Sequence, residues 1–350
     1  MIGSALLWGA VAIGGFTLWH PRPGPLVPAG FAHGAPAGRG SVTTLTGYAP
    51  QVPASSGFDA DSLSAYEWSD ATWAEPGDYA ARFRGLADLH VTDLFVDITR
   101  SVGMLKADDP ALAGYLARFR DLVALGAGKG IRVHALVGDP HWSSSDPSGP
   151  SEALQVMTRM RALTGGRMPA GLQFDVEPWT LPGWAADQGG DSLGFVKMVN
   201  SVAASWSALA LPGALGFAVP FWFDGVGGGV PQVTVGSTTA DPLSMALTSL
   251  GRVPGSYLNV MTYRNHASGP GGTEEGFSPV VQAAARMASP VTLLVGQELG
   301  PVSPASTTFY GTSWAAWEAS ATALRSFYRP VATFGGVAAN DVEHLLQLHR

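Results

Sequence analysis

Two carboxylates at the end of one short apolar stretch have the spacing of a catalytic pair. Asp175 and Glu177 close the run Gly171-Leu-Gln-Phe-Asp-Val-Glu, which leads directly into Pro178 and Trp179. Alternate side chains of a strand point the same way, so both carboxylates are predicted to project together from a strand end. Because like charges at short range raise each other's pKa, one carboxyl is expected to stay protonated near neutral pH, as a general acid must. The alternative interpretation is a solvated strand edge or a helix cap.

Strand-like apolar runs alternate with helix-like segments from about residue 58 to the C-terminus. The predicted strands cover residues 64–68, 91–98, 131–137, 172–176, 215–219, 257–261, 291–295 and 334–338. The predicted helices cover residues 76–89, 110–128, 150–163, 192–209, 242–250, 278–287, 314–328 and 341–348. This alternation predicts an α/β fold, a single (β/α)8 TIM barrel over residues 58–350, with Asp175 and Glu177 on its fourth strand. An open doubly wound sheet is the main alternative, but no glycine-rich phosphate loop follows the first strand.

Carboxylates and aromatic side chains follow nearly every predicted strand, at the end of the barrel where active sites lie. Sugar rings stack on aromatic faces and sugar hydroxyls need hydrogen-bond acceptors, so these residues favour a carbohydrate substrate over ordinary loop composition. The predicted substrate-binding residues are Glu67, Trp68, Asp97, Asp139, Trp142, Trp179, Trp222, Arg264, Asn340 and Asp341.

Two short segments resemble motifs of the chitinase-like family 18 glycosidases. Phe174-Asp-Val-Glu177 looks like the end of their Asp-x-Asp-x-Glu motif, and Asn259-Val-Met-Thr-Tyr263 resembles the Met-Thr-Tyr of their sixth strand. The resemblance implies that Glu177 is the general acid, that Asp175 orients a substrate acetamido group, and that Tyr263 hydrogen-bonds to it. In that mechanism the N-acetyl oxygen of the substrate is the nucleophile.

The chain departs from this family pattern at two positions. Gln173 stands where the motif has another Asp, and Arg264 stands where an Asp usually follows the Tyr. These departures keep open a second hypothesis, a barrel that binds carbohydrate without cleaving it. A third hypothesis is a metal-dependent deacetylase or amidase that uses Asp139 and His141, although no helical metal-ligand pattern accompanies them. We predict no metal and no cofactor, and we interpret His134 as a core residue.

A second glycosidase template uses the same acid with a different partner. Many retaining barrel glycosidases place the acid/base at the end of strand four and the nucleophile at the end of strand seven. Glu177 and Glu298 occupy those two places. The partner of Glu177 therefore stays open between Asp175 with Tyr263 on one side and Glu298 on the other.

The composition excludes several other classes of protein. The net charge is -7 and the basic residues are scattered, which argues against binding to nucleic acid or to an anionic membrane surface. The chain has 0 cysteines, which removes disulfides, thiolate nucleophiles and cysteine zinc sites. The sequence does not predict an oligomeric state.

The N-terminal part of the chain differs from the rest. Residues 1–20 are an apolar segment resembling a signal-peptide core or membrane anchor, and residues 21–57 form a linker rich in Pro, Gly and Ala. No basic residue precedes the apolar run, so an apolar strand packed on the barrel is the alternative. The pattern favours an extracytoplasmic protein whose only membrane contact would be this anchor.

Overall fold

The computed structural model describes residues 56–73, 79–163, 165, 167–226 and 229–350. The predicted apolar segment, residues 1–20, and nearly all of the predicted linker, residues 21–57, lie outside this part of the chain. Within it, eight parallel strands close into a barrel that helices surround. The predicted (β/α)8 fold is therefore confirmed.

The strands and helices alternate along the chain as a barrel of this type requires. The strands are β1 Leu63–Glu67, β2 Asp93–Asp97, β3 Arg132–Val137, β4 Gly171–Phe174, β5 Ala214–Pro220, β6 Val233–Val235, β7 Thr238–Ala240, β8 Tyr257–Met261, β9 Thr292–Glu298 and β10 Phe334–Asn340. The helices are α1 Tyr79–Asp88, α2 Thr99–Lys106, α3 Leu112–Ala127, α4 Gly149–Leu163, α5 Gln188–Ala208, α6 Pro242–Leu250, α7 Thr273–Arg286, α8 Trp314–Tyr328 and α9 Val342–His349. Around the barrel the order is β1, β2, β3, β4, β5, β8, β9 and β10, and β10 pairs with β1.

Three short elements are absent from the predicted set. Helix α2 was not predicted, because it has only 8 residues, half of them polar, and includes Gly103. Strands β6 and β7 form an antiparallel hairpin outside the barrel, and each has only 3 residues, too few for an alternation to be recognised.

Strand β4 is shorter than predicted, which changes how the acidic pair is held. The strand ends at Phe174, so Asp175 and Glu177 follow it instead of forming its last residues. The backbone N–H of Asp175 still donates to the Val137 carbonyl at 2.8 Å. Pro178 then begins a short 3-10 turn, since it has no N–H with which to continue the ladder.

Side chains of alternating strand residues fill the barrel interior. The rings of Phe58, Tyr66, Phe95 and Tyr257 lie together at its centre. Gly216 makes room for them, because a Cβ at this position would lie 2.1 Å from the Tyr257 ring. Every second residue further along each strand also faces the interior, and the last of these residues lie at the C-terminal rim of the barrel.

A compensated ion pair occupies the N-terminal end of the barrel. His134 Nε2 lies 2.7 Å from Asp93 Oδ1, and the Arg132 guanidinium donates to Asp93 Oδ2 at 2.8 Å. Burial alone would raise the pKa of Asp93, but the hydrogen bonds and positive charges of His134 and Arg132 outweigh it and hold the pKa below its ordinary value. His134 is a fully buried core residue.

Across the described ranges, no helix combines the length and apolar character that crossing a bilayer would demand.

Candidate active site

The carboxyl groups of Asp175 and Glu177 hydrogen-bond to each other at the C-terminal rim of the barrel. Both side chains are partly exposed there. Burial raises the pKa of Asp175 to about 7, although the hydrogen bond with Glu177 opposes the change. Burial, and then the charge and hydrogen bond of Asp175, raise the pKa of Glu177 well above its ordinary value. Two acids in contact can share one proton, and the proton is held more tightly on Glu177.

A buried polar network lies directly beneath this acidic pair. The Tyr66 hydroxyl accepts hydrogen bonds from Gln173 Nε2 and Asn259 Nδ2, each at 2.5 Å. Burial raises the pKa of Tyr66, and the charge of Asp175 adds to this effect. The network joins β1, β4 and β8, so it fixes the strands that carry the acidic pair and Tyr263.

Tyr263 lies among three carboxyl groups on the rim. Its side chain is buried, and burial raises its pKa well above the ordinary value. The charges of Glu298, Glu177 and Asp175 raise the pKa further, in that order. Tyr263 is therefore a phenol whose O–H can donate to a ligand beside the acidic pair. Arg264 follows it, donates to the Tyr263 carbonyl at 2.7 Å and lies 5.1 Å from the Phe221 ring centre.

Glu298 belongs to a chain of hydrogen bonds on the other side of the rim. Its Oε1 accepts from the Gly300 N–H at 2.6 Å and its Oε2 accepts from Asn340 Nδ2 at 2.7 Å. Asn340 Oδ1 accepts in turn from Trp68 Nε1 at 2.6 Å. Burial raises the pKa of Glu298 to about 8, partly offset by the Gly300 N–H. The partly exposed Trp68 also stacks on Tyr66, with ring centres 5.4 Å apart.

Asp97 is a further carboxylate at the rim of the barrel. It is the last residue of β2, is partly exposed, and accepts a hydrogen bond from the Thr99 N–H at 2.8 Å. Burial raises its pKa to about 6, against the hydrogen bonds of Thr99. Asp97 is in strand phase with Phe95, whose ring lies in the barrel interior, so its carboxyl faces the interior at the rim. Its charge raises the pKa of Asp175.

Glu67 faces away from the rim, contrary to the prediction that it binds substrate. Its carboxylate accepts from the Tyr79 hydroxyl at 3.0 Å and lies 3.2 Å from Arg82, both on helix α1. The reason is the alternation of strand side chains: Tyr66 points into the barrel, so Glu67 points toward the helices.

Three of the four tryptophans predicted to stack on sugar are buried. Trp142 packs on Gly149 and meets Phe174 edge to face, with ring centres 6.4 Å apart. Trp179 and Trp222 meet edge to face at 5.6 Å in an aromatic cluster outside the barrel. These rings lie 3%, 7% and 1% exposed respectively, because the turns after β3, β4 and β5 direct them into the shell between strands and helices. This corrects the prediction, which did not consider the direction of each side chain.

Asp139 and Asp341 each bind a neighbouring histidine at the start of a helical segment. Asp139 Oδ1 accepts from the His141 N–H and lies 2.8 Å from His141 Nδ1. Asp341 makes the same two contacts with His344, the Nδ1 contact also at 2.8 Å. No group of three or more potential metal ligands occurs among the residues that the structure describes. The local role of both aspartates is thus to cap a helical turn.

The predicted site omitted Tyr66 and Asn259, two residues of the network under the acidic pair. A signal for both is present in the sequence. Tyr66 lies two residues before Trp68, and Asn259 lies four residues before Tyr263. Because alternate residues of a strand face the same side, Tyr66 and Asn259 point to the same side as these two rim residues. Counting this phase back from the strand ends would have included both and excluded Glu67.

Comparison with solved structures places this barrel among the glycoside hydrolase folds. A GH18 chitinase from Pseudoalteromonas aurantia is 12% identical, covers 80% of this chain and 94% of its own, and has a TM-score of 0.51. The C-terminal domain of a putative chitinase from Desulfitobacterium hafniense DCB-2 is 13% identical, covers 82% of this chain and 97% of its own, and has a TM-score of 0.50. The chain has the fold of family 18 chitinases. A Bacteroidetes-affiliated GH5 cellulase is also similar, at 15% identity, coverages of 80% and 82%, and a TM-score of 0.48.

At these identities the likeness concerns the fold alone. No family model matches the chain, and no curated protein matches it. The distant resemblance inferred from the two short segments is nevertheless supported, because the solved structures include GH18 chitinases.

Proposed function

We propose that the protein is a glycoside hydrolase in which Glu177 donates a proton to the leaving glycosidic oxygen. The observation that carries this proposal is the hydrogen-bonded pair of Asp175 and Glu177 at the C-terminal rim, whose raised pKa values leave a proton available near neutral pH. A general acid needs a proton held at the working pH and an open path to the substrate. Glu177 meets both needs, because it is partly exposed.

The substrate proposed is a glycan that carries N-acetyl groups. Its acetamido oxygen would attack the anomeric carbon while Asp175, ionised after the first proton leaves the pair, accepts the acetamido N–H. The Tyr263 hydroxyl, still protonated, would donate to the acetamido oxygen. The two chitinase folds with TM-scores of 0.50 and 0.51 support this choice of substrate class.

Glu298 is the less favoured partner for Glu177. A nucleophile must be ionised and free to approach the anomeric carbon. Glu298 is 3% exposed, both of its oxygens accept hydrogen bonds, and its pKa of about 8 keeps it mainly protonated at neutral pH. We assign it, with Asn340, to holding Trp68 at the rim, where the exposed part of the indole would contact the substrate.

A barrel that binds carbohydrate without cleaving it is the second candidate function. Gln173 favours it, because this neutral amide replaces an acid of the chitinase-like motif and donates through Nε2 to the Tyr66 hydroxyl. The metal-dependent hypothesis has only Asp139 and His141 in its support among the described residues, and we do not pursue it.

The experiment compares wild type with Glu177→Gln on a panel of glycans that includes chitin oligosaccharides. We expect kcat to fall by about 10²- to 10⁴-fold, the usual contribution of a general acid, with the thermal midpoint unchanged. Glu318→Gln, on the exposed face of helix α8, is the matched control and should retain full activity. Undiminished hydrolysis by Glu177→Gln would overturn the proposal. Binding of glycans by wild type without any cleavage would favour the second function.

We further propose that residues 1–20 direct the protein out of the cytoplasm. Expression in a bacterial host and mass analysis of the exported protein would test this. An intact N-terminus on protein retained in the cytoplasm would contradict it.

A further inference from the structure

A line of contacts connects Asp97 on β2 with the acidic pair beyond β4. The carboxylate of Asp97 accepts from the Thr99 N–H at 2.8 Å. The Thr99 hydroxyl oxygen accepts from the Gly138 N–H at 3.0 Å. The end of β2 is therefore fastened to the end of β3 at the point where Asp97 is held.

The end of β3 is in turn in close contact with the backbone that carries the acidic pair. A Cβ on Gly138 would lie 1.8 Å from the Asp175 carbonyl oxygen, so only glycine fits there. Gly138 follows Leu136 in the phase that faces the barrel interior. Because Gly138 has no side chain, it adds no group to the rim between β2 and β4.

Several titratable groups surround these carboxyls. Asp97 is approached by Asp70, which pairs with Arg100 at 3.4 Å, and by Tyr115 of α3. The charges of Asp97 and Glu298 raise pKa values within the acidic pair. The charges of the pair in turn raise the pKa values of Tyr66 and Tyr263. Within the pair, the charge of Asp97 raises the pKa of Asp175, and the charge of Glu298 raises the pKa of Glu177.

We propose that Asp97 is a positioning residue that sets the pH at which the acidic pair releases its first proton, acting through its charge on Asp175. The Thr99 and Gly138 contacts hold that charge at a fixed place. The inference rests on the proposed function for its catalytic consequence, since the singly protonated pair is the form in which Glu177 is the acid and Asp175 the ionised partner.

The test measures the titration of Asp175 directly, so it does not depend on activity. Carboxyl ¹³C shifts of aspartate-labelled protein are followed from pH 4 to 9, and Asp175→Asn assigns the signal. In Asp97→Asn we expect the Asp175 midpoint to move from about 7 to lower pH by about one unit, the order expected for one charge removed from a partly buried site. Asp97→Glu, which keeps the charge, should restore most of the shift.

Two further variants separate this charge effect from a general structural one. Thr99→Val keeps the Asp97 charge but removes the hydroxyl contact with Gly138, and we expect a smaller shift in the same direction. Asp121→Asn removes an exposed charge on helix α3 and should leave the midpoint in place. An Asp175 midpoint that neither Asp97→Asn nor Thr99→Val moves would overturn the proposal.

If the protein is a glycosidase, the acid limb of kcat/KM against pH should follow the same shift in Asp97→Asn, with KM at the optimum unchanged. A shifted Asp175 titration in a protein without hydrolytic activity would uphold the electrostatic inference and contradict the proposed function. A rise in KM with an unmoved acid limb would make Asp97 a substrate contact and contradict the inference.

Discussion

Both ends of the barrel interior contain acidic side chains, but the pKa values of these side chains are shifted in opposite directions. At the N-terminal end Asp93 is fully buried between His134 and Arg132, and its pKa is lowered. At the C-terminal end Asp175 and Glu177 face each other and other carboxyls, and their pKa values are raised. The first arrangement stabilises a fold, because every charge has its partner. The second keeps protons available, which is of use only to chemistry or to ligand binding.

The largest expected effect is a contrast in stability between Asp93 and Asp175. Asp93→Asn leaves His134 and Arg132 without a buried counter-charge, and we expect the free energy of unfolding to fall by about 3 to 5 kcal/mol. Asp175→Asn replaces an acid that is partly protonated at neutral pH, so we expect it to lower stability by no more than about 1 kcal/mol while it removes turnover. Urea denaturation at pH 7 measures both. Equal losses of stability would break the comparison.

The pH dependence of stability should carry the same contrast. Asp97, Asp175 and Glu298 have folded pKa values of about 6, 7 and 8, above the unfolded values of about 4. Between these limits the folded state binds more protons than the unfolded state. The stability that these groups contribute is therefore greatest below about pH 4 and falls as pH rises to about 8. Asp93 acts oppositely, because its lowered pKa adds stability that is lost only as pH falls below about 4.

Thermal midpoints measured from pH 4 to 9 test this prediction. Glu298→Gln should flatten the decline above pH 7, since the amide does not ionise. A thermal midpoint that rises steadily from pH 5 to 8 in wild type would contradict the prediction. It would mean that positive charges pair with the rim carboxyls, as His134 and Arg132 pair with Asp93.

The smallest expected effects concern two tryptophans in different settings. Trp68→Phe removes the hydrogen bond to Asn340 at the rim, and we expect KM to rise about fivefold, equivalent to about 1 kcal/mol, with kcat little changed. Trp222→Phe creates a gap in the buried cluster outside the barrel, and we expect a loss of roughly 1 to 2 kcal/mol in stability with KM unchanged. Steady-state kinetics and urea denaturation of both variants would show whether the rim and the outer shell are distinct.

Sequence patterns predicted the barrel well because its strands are continuous apolar runs. The strand over residues 257–261 and the helices over residues 242–250 and 314–328 have the predicted limits. Helix α2 was missed because it has only 8 residues, and its buried Val102 and Met104 are too few to show a helical period. The hairpin of β6 and β7 is too short to carry a periodic signal.

The candidate site was predicted less evenly than the fold. Asp175, Glu177, Tyr263 and Glu298 were placed on the rim by strand counting alone, whereas their roles remain predictions. Glu67 was included because it lies at the end of a strand and Trp222 because it follows one, but the direction of a side chain depends on strand phase and on the turn that follows. The hydrogen bonds of Tyr66 with Gln173 and Asn259 join three strands distant in sequence, and no local pattern reveals such a contact.

Neutron diffraction from a deuterated crystal near pH 8 tests the central claim most directly, because it locates the protons of the rim carboxyls. We predict one deuterium between the carboxyls of Asp175 and Glu177, bonded to Glu177, and none bonded to the carboxylate oxygens of Asp93, which is ionised beside His134 and Arg132. A pair with no deuterium between its carboxyls, both ionised, would contradict the claim that this rim stores the proton for catalysis.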